Sequence, residues 1–343
     1  MPSVPPSLRL TIDLAALADN WRWLAARSGS AECGAAVKAD GYGVGARQVA
    51  SALVMAGCRT LFVATWAEAE ALLPLPAGVT LRVLHGVTEA ELPFALQTAA
   101  VPVLNTPAQV ARWREAAAGR PCDVMVDTGM NRLGLSAGEL ALTDGLQVEI
   151  VHSHLACADE PGHPLNARQL AAFRALDVGP ARRSLANSAG ICLGADYAFG
   201  LTRPGLALYG GVPHLDMAGQ IRPVIGVEAQ VVQVRDVPAG ETIGYGATAS
   251  GPLRIAILNL GYADGYLRAF SGGAGEAIVG GERRPVVGRV SMDLTAVDAT
   301  GTGVREGDWI GIDVDLPRAA ARSGLSQYEL LTGLGARYQR DYR

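Results

Sequence analysis

From residue 34 onward, short apolar runs alternate with longer segments in which apolar positions return every three or four residues. The runs fall near 34–38, 60–65, 80–85, 101–105, 123–128, 148–154, 183–187 and 201–208, and the segments between them include GARQVASALVMAG, TEAELPFALQTA and LNARQLAAFRAL. A short apolar run reads as a strand buried on both faces, and a segment of helical period reads as the crossover that follows it. Eight strand-helix units are what a closed (β/α)8 barrel requires. Beyond about residue 220 the pattern changes to β-branched runs with Gly and Pro turns: VIGVEAQVVQVRDVPAGE, RIAILNL, EAIVGGERRPVVGRV and DWIGIDV. These predict a second, mostly β domain. The predicted fold class is thus α/β, with a TIM-like barrel over 1–220 followed by a mostly β C-terminal domain over 221–343. The opening LRLTIDLAALADNWRWLAAR begins as a strand over about 8–13, carries an Asp at a helix cap and continues as a helix. That first strand can pair with either domain, the C-terminal one included.

Composition narrows the function classes. A chain of 343 residues, 49% hydrophobic and 18% charged, has ample material for two cores. A formal net charge of -4 with scattered arginines gives no basic field for a phosphate backbone, so nucleic acid is not an expected partner. The start MPSVPPSLRL lacks a charged beginning followed by an apolar run, and no stretch approaches the roughly 18 apolar residues of a membrane helix. No membrane association is expected, and the predicted location is cytoplasmic. The five cysteines, at 33, 58, 122, 157 and 192, are too far apart in sequence to suggest zinc or redox pairs.

One residue type stands out. Of 29 basic residues, Lys38 is the only lysine; the other 28 are arginine. Arginine serves solubility everywhere else, but guanidinium keeps its proton, whereas an amine in apolar surroundings can lose it and attack a carbonyl. Lys38 lies in AVKADGYGVGA, at the carboxyl end of the first predicted strand, which is where barrel enzymes place their chemistry. The other strand ends also carry polar residues: His85, Asn105, Asp127 with Arg132, His154, and Asn187 with Ser188. Arg203 lies early in the eighth run.

Two rival patterns are weaker. GYGVGA, between a strand and a helix, has the glycine spacing of a dinucleotide loop. The acid expected to end the next strand is missing, however, and Glu68 already lies inside the following helix. HSH at 152–154 puts two imidazoles on one face of a strand. No further ligand has suitable spacing, so no metal site is expected. The remaining set consists of one amine that can be uncharged, a Ser/Asn and Gly-rich group able to hold a phosphate, Arg203 beside Pro and Gly, and Tyr245 in TIGYGATAS. An aldehyde cofactor, pyridoxal 5'-phosphate, needs such a lysine, such phosphate donors and a chosen partner for its ring nitrogen.

AVKADGYG at 36–43, VDTGMNRLG at 126–134, HSHLACADE at 152–160, LANSAG at 185–190, LTRPGLALYG at 201–210, GYGATA at 244–249, LNLGYADGY at 258–266 and GRVSMDL at 288–294 occur in one order along the chain. In these motifs the sequence resembles the bacterial, pyridoxal phosphate-dependent alanine racemases over almost its full length. The resemblance implies a homodimer whose sites combine one subunit's barrel with its partner's β domain. Lys38 would hold the cofactor and act as one base, and Tyr245 of the partner would act as the other. It further implies Arg203 as the partner of the ring nitrogen, with His154 beside it. Tyr42, Ser188 and the amides of Gly205 and Leu206 would bind the phosphate, and Asn187 would be a further cofactor-binding residue. Arg132, the Met292 amide and Tyr262 would serve the substrate. The implied activity is interconversion of L- and D-alanine, supplying D-alanine for peptidoglycan.

Two departures stand out. Met125 lies where many relatives have a lysine that becomes carbamylated, with Asn131 nearby, and Ala336 aligns with a tyrosine found near the phosphate, Tyr338 lying two places on. A racemase for serine or a larger amino acid, or a non-catalytic pyridoxal phosphate carrier, is the alternative reading. A nicotinamide dehydrogenase is a more distant one.

Overall fold

A computed structural model describes residues 5–117 and 119–343. The chain divides into two compact units, Ala16–Arg222 and Pro223–Arg343, the second joined by the segment that ends at Ala15.

In the first unit, Ala35–Ala36, Thr60–Val63, Thr80–Val83, Val101–Leu104, Pro121–Met125, Gln147–His152 and Arg182–Ser184 form a parallel sheet in chain order. Leu201–Thr202 pairs in parallel with Glu32–Cys33, immediately before the first of these strands. The Ala36 amide then donates to the Pro204 carbonyl, and the Arg203 amide to the Ala186 carbonyl. The eighth segment therefore bonds to both the first and the seventh, as in the expected barrel. The crossovers follow their sequence signals. In Ala46–Ala56, Val49, Ala50 and Leu53 are buried, and the helix stops at left-handed Gly57. Thr65 and Glu68 form a reciprocal capping box at the start of Trp66–Leu72.

Two expectations are shortened. The eighth run, predicted over 201–208, is a strand only at Leu201–Thr202, and Leu206–Tyr209 is a 3-10 turn. Pro204 has no N–H to extend the ladder, and the amides beyond it turn to the Ser188 hydroxyl. After the fifth and seventh strands the helical elements are 3-10 segments, Ala137–Thr143 and Ala189–Leu193.

The second unit is built around the long strand Ile225–Val237. Its first half pairs with Leu8–Ile12 on one side and Trp309–Ile312 on the other; after a bulge between Val231 and Gln233, its second half continues along Leu253–Leu258. That strand leads through Thr295–Asp298, Glu282–Val287 and Glu276–Val279 back to Trp309–Ile312. Six strands thus close on themselves, which removes the open edges an antiparallel sheet would otherwise expose. Leu8–Ile12 also pairs in parallel with Gln339–Tyr342. Among the described residues no helix is long and apolar enough to cross a membrane.

Candidate active site

The first barrel strand gives way to a left-handed turn. Lys38 opens the segment Lys38–Tyr42, in which Ala39, Asp40, Gly41 and Tyr42 have φ of 52, 51, 61 and 55, and Gly43 follows at 85. This region costs each L residue about 1–2 kcal/mol. Residues that stay there do so because their surroundings over-determine them, commonly at functional sites. The turn is pinned by bonds from the amides of Gly41, Gly43 and Gly45 to the carbonyls of Val37, Ala39 and Asp40, and from the Ala46 amide to Asp40 Oδ1. Lys38 is half-buried. Burial, followed by the Arg132 and Arg203 guanidiniums, lowers its amine from the ordinary lysine value, against an opposing pull from Glu68. The lone amine is thereby biased toward its neutral, nucleophilic form.

Arg203 lies deep in the barrel, 7% exposed. Its Nη1 donates to Ser184 Oγ at 2.5 Å and its Nη2 to the Ser153 carbonyl at 2.6 Å, with His154 Nδ1 at 3.5 Å. None of these partners is a carboxylate, and burial lowers the guanidinium to about 10, with Asp123 opposing. His154 is pushed down to about 3, first by burial and then by Arg203, Arg132 and Lys38, so it stays a neutral acceptor toward Arg203. Arg203 therefore remains a buried cation with donors only, suited to an acceptor that carries no proton.

A second cluster adjoins. Ser188 Oγ accepts the Gly205 amide at 2.9 Å and the Ala207 amide at 3.2 Å. The Tyr42 hydroxyl lies so close to Gly205 that a Cβ there would meet it at 2.2 Å, and the Tyr42 ring stacks on Tyr209 with centroids 4.6 Å apart. Leu206 is buried in the same turn. Asn187 Oδ1 accepts the Gly190 amide and shapes the 3-10 segment after Ser188. Arg132 is exposed on a loop shaped by Asp127, whose Oδ1 accepts the amides of Gly129 and Met130. Burial would raise the Asp127 carboxyl, but backbone N–H groups from Gly129 to Arg132 outweigh it and hold the carboxyl low.

The structure thus brings Lys38, Arg132, His154 and Arg203 within electrostatic reach of one another and joins Tyr42, Ser188 and Gly205 in one cradle. Tyr245, Tyr262 and Met292 belong to the β unit. Tyr245, 66% exposed, opens the turn Tyr245–Ala247 between two positive-φ positions of Gly244 and Gly246. Tyr262 and Met292 lie on adjoining loops, the amides of Tyr262 and Ala263 donating to the carbonyls of Ser291 and Met292.

Several supporting residues carry no sequence signal of their own. Gln169, fully buried, donates to the His154 carbonyl at 2.8 Å and accepts the Ala156 amide. Ser184 ends the seventh strand and Ser153 directly follows the sixth, and both look ordinary until the barrel closes on Arg203. Below them, Arg82 donates to both oxygens of Asp123 at 2.7 Å, and His152 Nε2 lies 2.9 Å from the same carboxylate. The two imidazoles of HSH therefore part company, His152 to Asp123 and His154 to Arg203. Cys192, His214 and Asp216 bring ligand-type atoms within 4.8 Å of one another, although Asp216 already bonds Arg27 at 2.6 Å.

His152 yields a stability prediction. Burial pushes it from the ordinary 6.5 to about 4, despite its bond to Asp123, and His154 moves the same way. Between these values the unfolded chain binds protons that the folded chain does not, so stability is full above about pH 6.5 and falls on acidification toward pH 4. The slope approaches about 1.4 kcal/mol per pH unit for each histidine. Urea midpoints measured from pH 7 to pH 4.5 are expected to drop steadily and to drop less in His152→Gln; a flat profile would contradict the buried-neutral assignment.

Comparison with known proteins identifies the family. Residues 12–213 match the model of the alanine racemase N-terminal domain, and residues 224–342 match that of the alanine racemase C-terminal domain. The chain is 46% identical to an alanine racemase of Methylobacterium nodulans over 97% of this chain and 95% of that protein. It is 42% identical to a biosynthetic alanine racemase of Agrobacterium fabrum, over 98% and 93% respectively. Among solved structures, the alanine racemase of Bartonella henselae with covalently bound pyridoxal phosphate superposes with a TM-score of 0.91 at 36% identity, covering 99% of this chain and 100% of that one. With both domain models matched in order along nearly its whole length, the chain belongs to the alanine racemase family of enzymes.

Proposed function

We propose that this protein interconverts L- and D-alanine with pyridoxal 5'-phosphate held on Lys38, by a two-base mechanism completed by Tyr245 of a partner subunit in a homodimer. The observation that carries this reading is the single lysine of the chain, biased toward a neutral amine and set in reach of a buried arginine whose hydrogen bonds go to a hydroxyl, backbone carbonyls and an imidazole. The donor set fits the cofactor: an amine for an aldehyde, hydroxyls of Tyr42 and Ser188 with the amides of Gly205 and Leu206 for a phosphate, and Asn187 shaping that turn. The close approach of Tyr42 to Gly205 leaves no room for a side chain at position 205, as a tight anion cradle requires.

When bound, pyridoxal phosphate withdraws electrons from the substrate Cα and so makes its proton removable. The chain's own groups do the rest. Lys38 takes or returns the proton on one face of Cα, and Tyr245 does so on the other; taking from one face and returning to the opposite one inverts the centre. Arg203, a donor without acceptors, would bond a ring nitrogen only where that atom carries no proton, and Ser184, the Ser153 carbonyl and neutral His154 hold the guanidinium in place. Such a partner would weaken electron withdrawal and so disfavour transamination. Arg132 and the Met292 amide bind the carboxylate, and Tyr262 narrows the entrance. In a cytoplasmic setting the product D-alanine would supply peptidoglycan.

A racemisation panel tests the proposal. Alanine is expected to turn over fastest, in both directions and only with cofactor present. Serine or a larger residue turning over faster would favour the alternative substrate, and no turnover despite bound cofactor would favour a carrier. Gly205→Ala is expected to lose about 1–3 kcal/mol of stability by overpacking Tyr42 and to weaken cofactor binding in a pyridoxal phosphate titration. Unchanged binding would remove Gly205 from the cradle.

A further inference from the structure

We propose that Glu68 is a positioning residue for Lys38, its carboxylate clamping the strained turn that carries the amine and placing a compensating negative charge beside it. The catalytic meaning of this inference rests on the reading of Lys38 as the cofactor lysine; the clamp itself does not.

Glu68 does more than cap its own helix. A capping box needs one glutamate oxygen on the N-cap amide, and Oε2 supplies it, accepting the Thr65 amide at 3.3 Å and the Ala64 amide at 2.6 Å. The other oxygen, Oε1, accepts the amide of Ala39 at 2.7 Å, from a residue 29 positions earlier. Ala39 is the first left-handed residue after Lys38, so this bond fixes the peptide that leaves the lysine. One carboxylate therefore ties the end of the strand Thr60–Val63, the start of the helix Trp66–Leu72 and the lysine turn together. Of the charged groups acting on Lys38, Arg132 and Arg203 disfavour the ammonium form, and Glu68 favours it. His154 beside Arg203 is neutral and neither adds to nor offsets that balance. Glu68 thus limits how far the two arginines depress the amine, which must carry a proton in one half of a racemisation cycle and lack one in the other.

The lone lysine makes the test direct. Reductive methylation of the cofactor-free protein with 13C-formaldehyde labels one side-chain amine, and its resonance can be titrated with pH. In Glu68→Gln, which keeps an acceptor oxygen but loses the charge, the Lys38 midpoint is expected to move to lower pH than in the unsubstituted protein. Glu70→Gln, on an exposed position of the same helix, is expected to leave it unmoved. Thr65→Ala, which removes the other half of the capping box, is also expected to leave it unmoved. An unmoved midpoint in Glu68→Gln, or an equal shift in Thr65→Ala, would reduce Glu68 to a helix cap and overturn the proposal. Should Glu68→Gln not fold, Glu68→Asp withdraws the carboxylate by one methylene; a smaller downward shift is expected, and no shift overturns the proposal. Because the titration needs no cofactor, its outcome is separate from whether pyridoxal phosphate attaches to Lys38.

Discussion

Replacing Lys38 by arginine or alanine is expected to abolish racemisation, with a loss of at least about 10⁴-fold, the upper end of what a single acid/base group contributes. The expected loss exceeds that of any other single change because, in the proposed mechanism, one side chain serves twice, as the attachment point of the cofactor and as a base. Lys38→Arg is the sharper variant. It keeps a cation beside Arg132 and Arg203 but removes the ability to become a neutral nucleophile. Both variants are expected to lose covalent cofactor. Lys38→Ala is also expected to regain some turnover with added small primary amines, which can stand in for the missing one. Full activity in Lys38→Arg, measured by coupled assay of D-alanine, would remove the lysine from the chemistry.

The second large effect is expected at Tyr245. Tyr245→Phe should slow racemisation by about 10²–10⁴-fold in both directions, with stability changed by less than about 0.5 kcal/mol because the ring is mostly exposed within its own unit. The more specific consequence concerns proton exchange in deuterated water. The alanine enantiomer that presents its Cα–H to Lys38 should still exchange without inverting, whereas its mirror image should not exchange at all. Equal loss from both enantiomers, or equal retention, would contradict two separate bases on opposite faces. If the tyrosine comes from a partner subunit, as proposed, a mixed dimer of Lys38→Ala and Tyr245→Phe chains should regain one working site from two inactive parents.

Much of this was legible in the sequence, for physical reasons that differ by feature. The barrel was readable because buried parallel strands leave unbroken apolar runs and their crossovers leave a period of three to four, as in GARQVASALVMAG. Lys38 stood out because an amine can lose its proton and act as a nucleophile, which arginine cannot do. Arg203 was readable from its place beside Pro204 and Gly205, although the same proline that marked it also ended the eighth strand six residues sooner than the apolar run suggested. What the sequence concealed is partnership across the fold. Glu68 reads as the third residue of a capped helix, and its second role exists only because the lysine turn comes to rest against it. Gln169 reads as a helix-surface residue, Ser153 and Ser184 as strand serines. Each acquires a function from a neighbour 15 to 50 positions away. Closure of the β unit was likewise hidden, since it depends on one long strand, bulged between Val231 and Gln233, pairing with Trp309–Ile312 along one half and with Leu253–Leu258 along the other.

The most direct measurement is to record the visible spectrum of the purified protein with pyridoxal phosphate, reduce it with borohydride, and map the modified peptide by mass. The expected result is a visible band that disappears on reduction, with the phosphopyridoxyl group in the peptide containing AVKADGYG and on Lys38 alone. No band after added cofactor, or a band with no modification at Lys38, would contradict the central assignment and with it the roles given to Arg203, Ser188 and Tyr42.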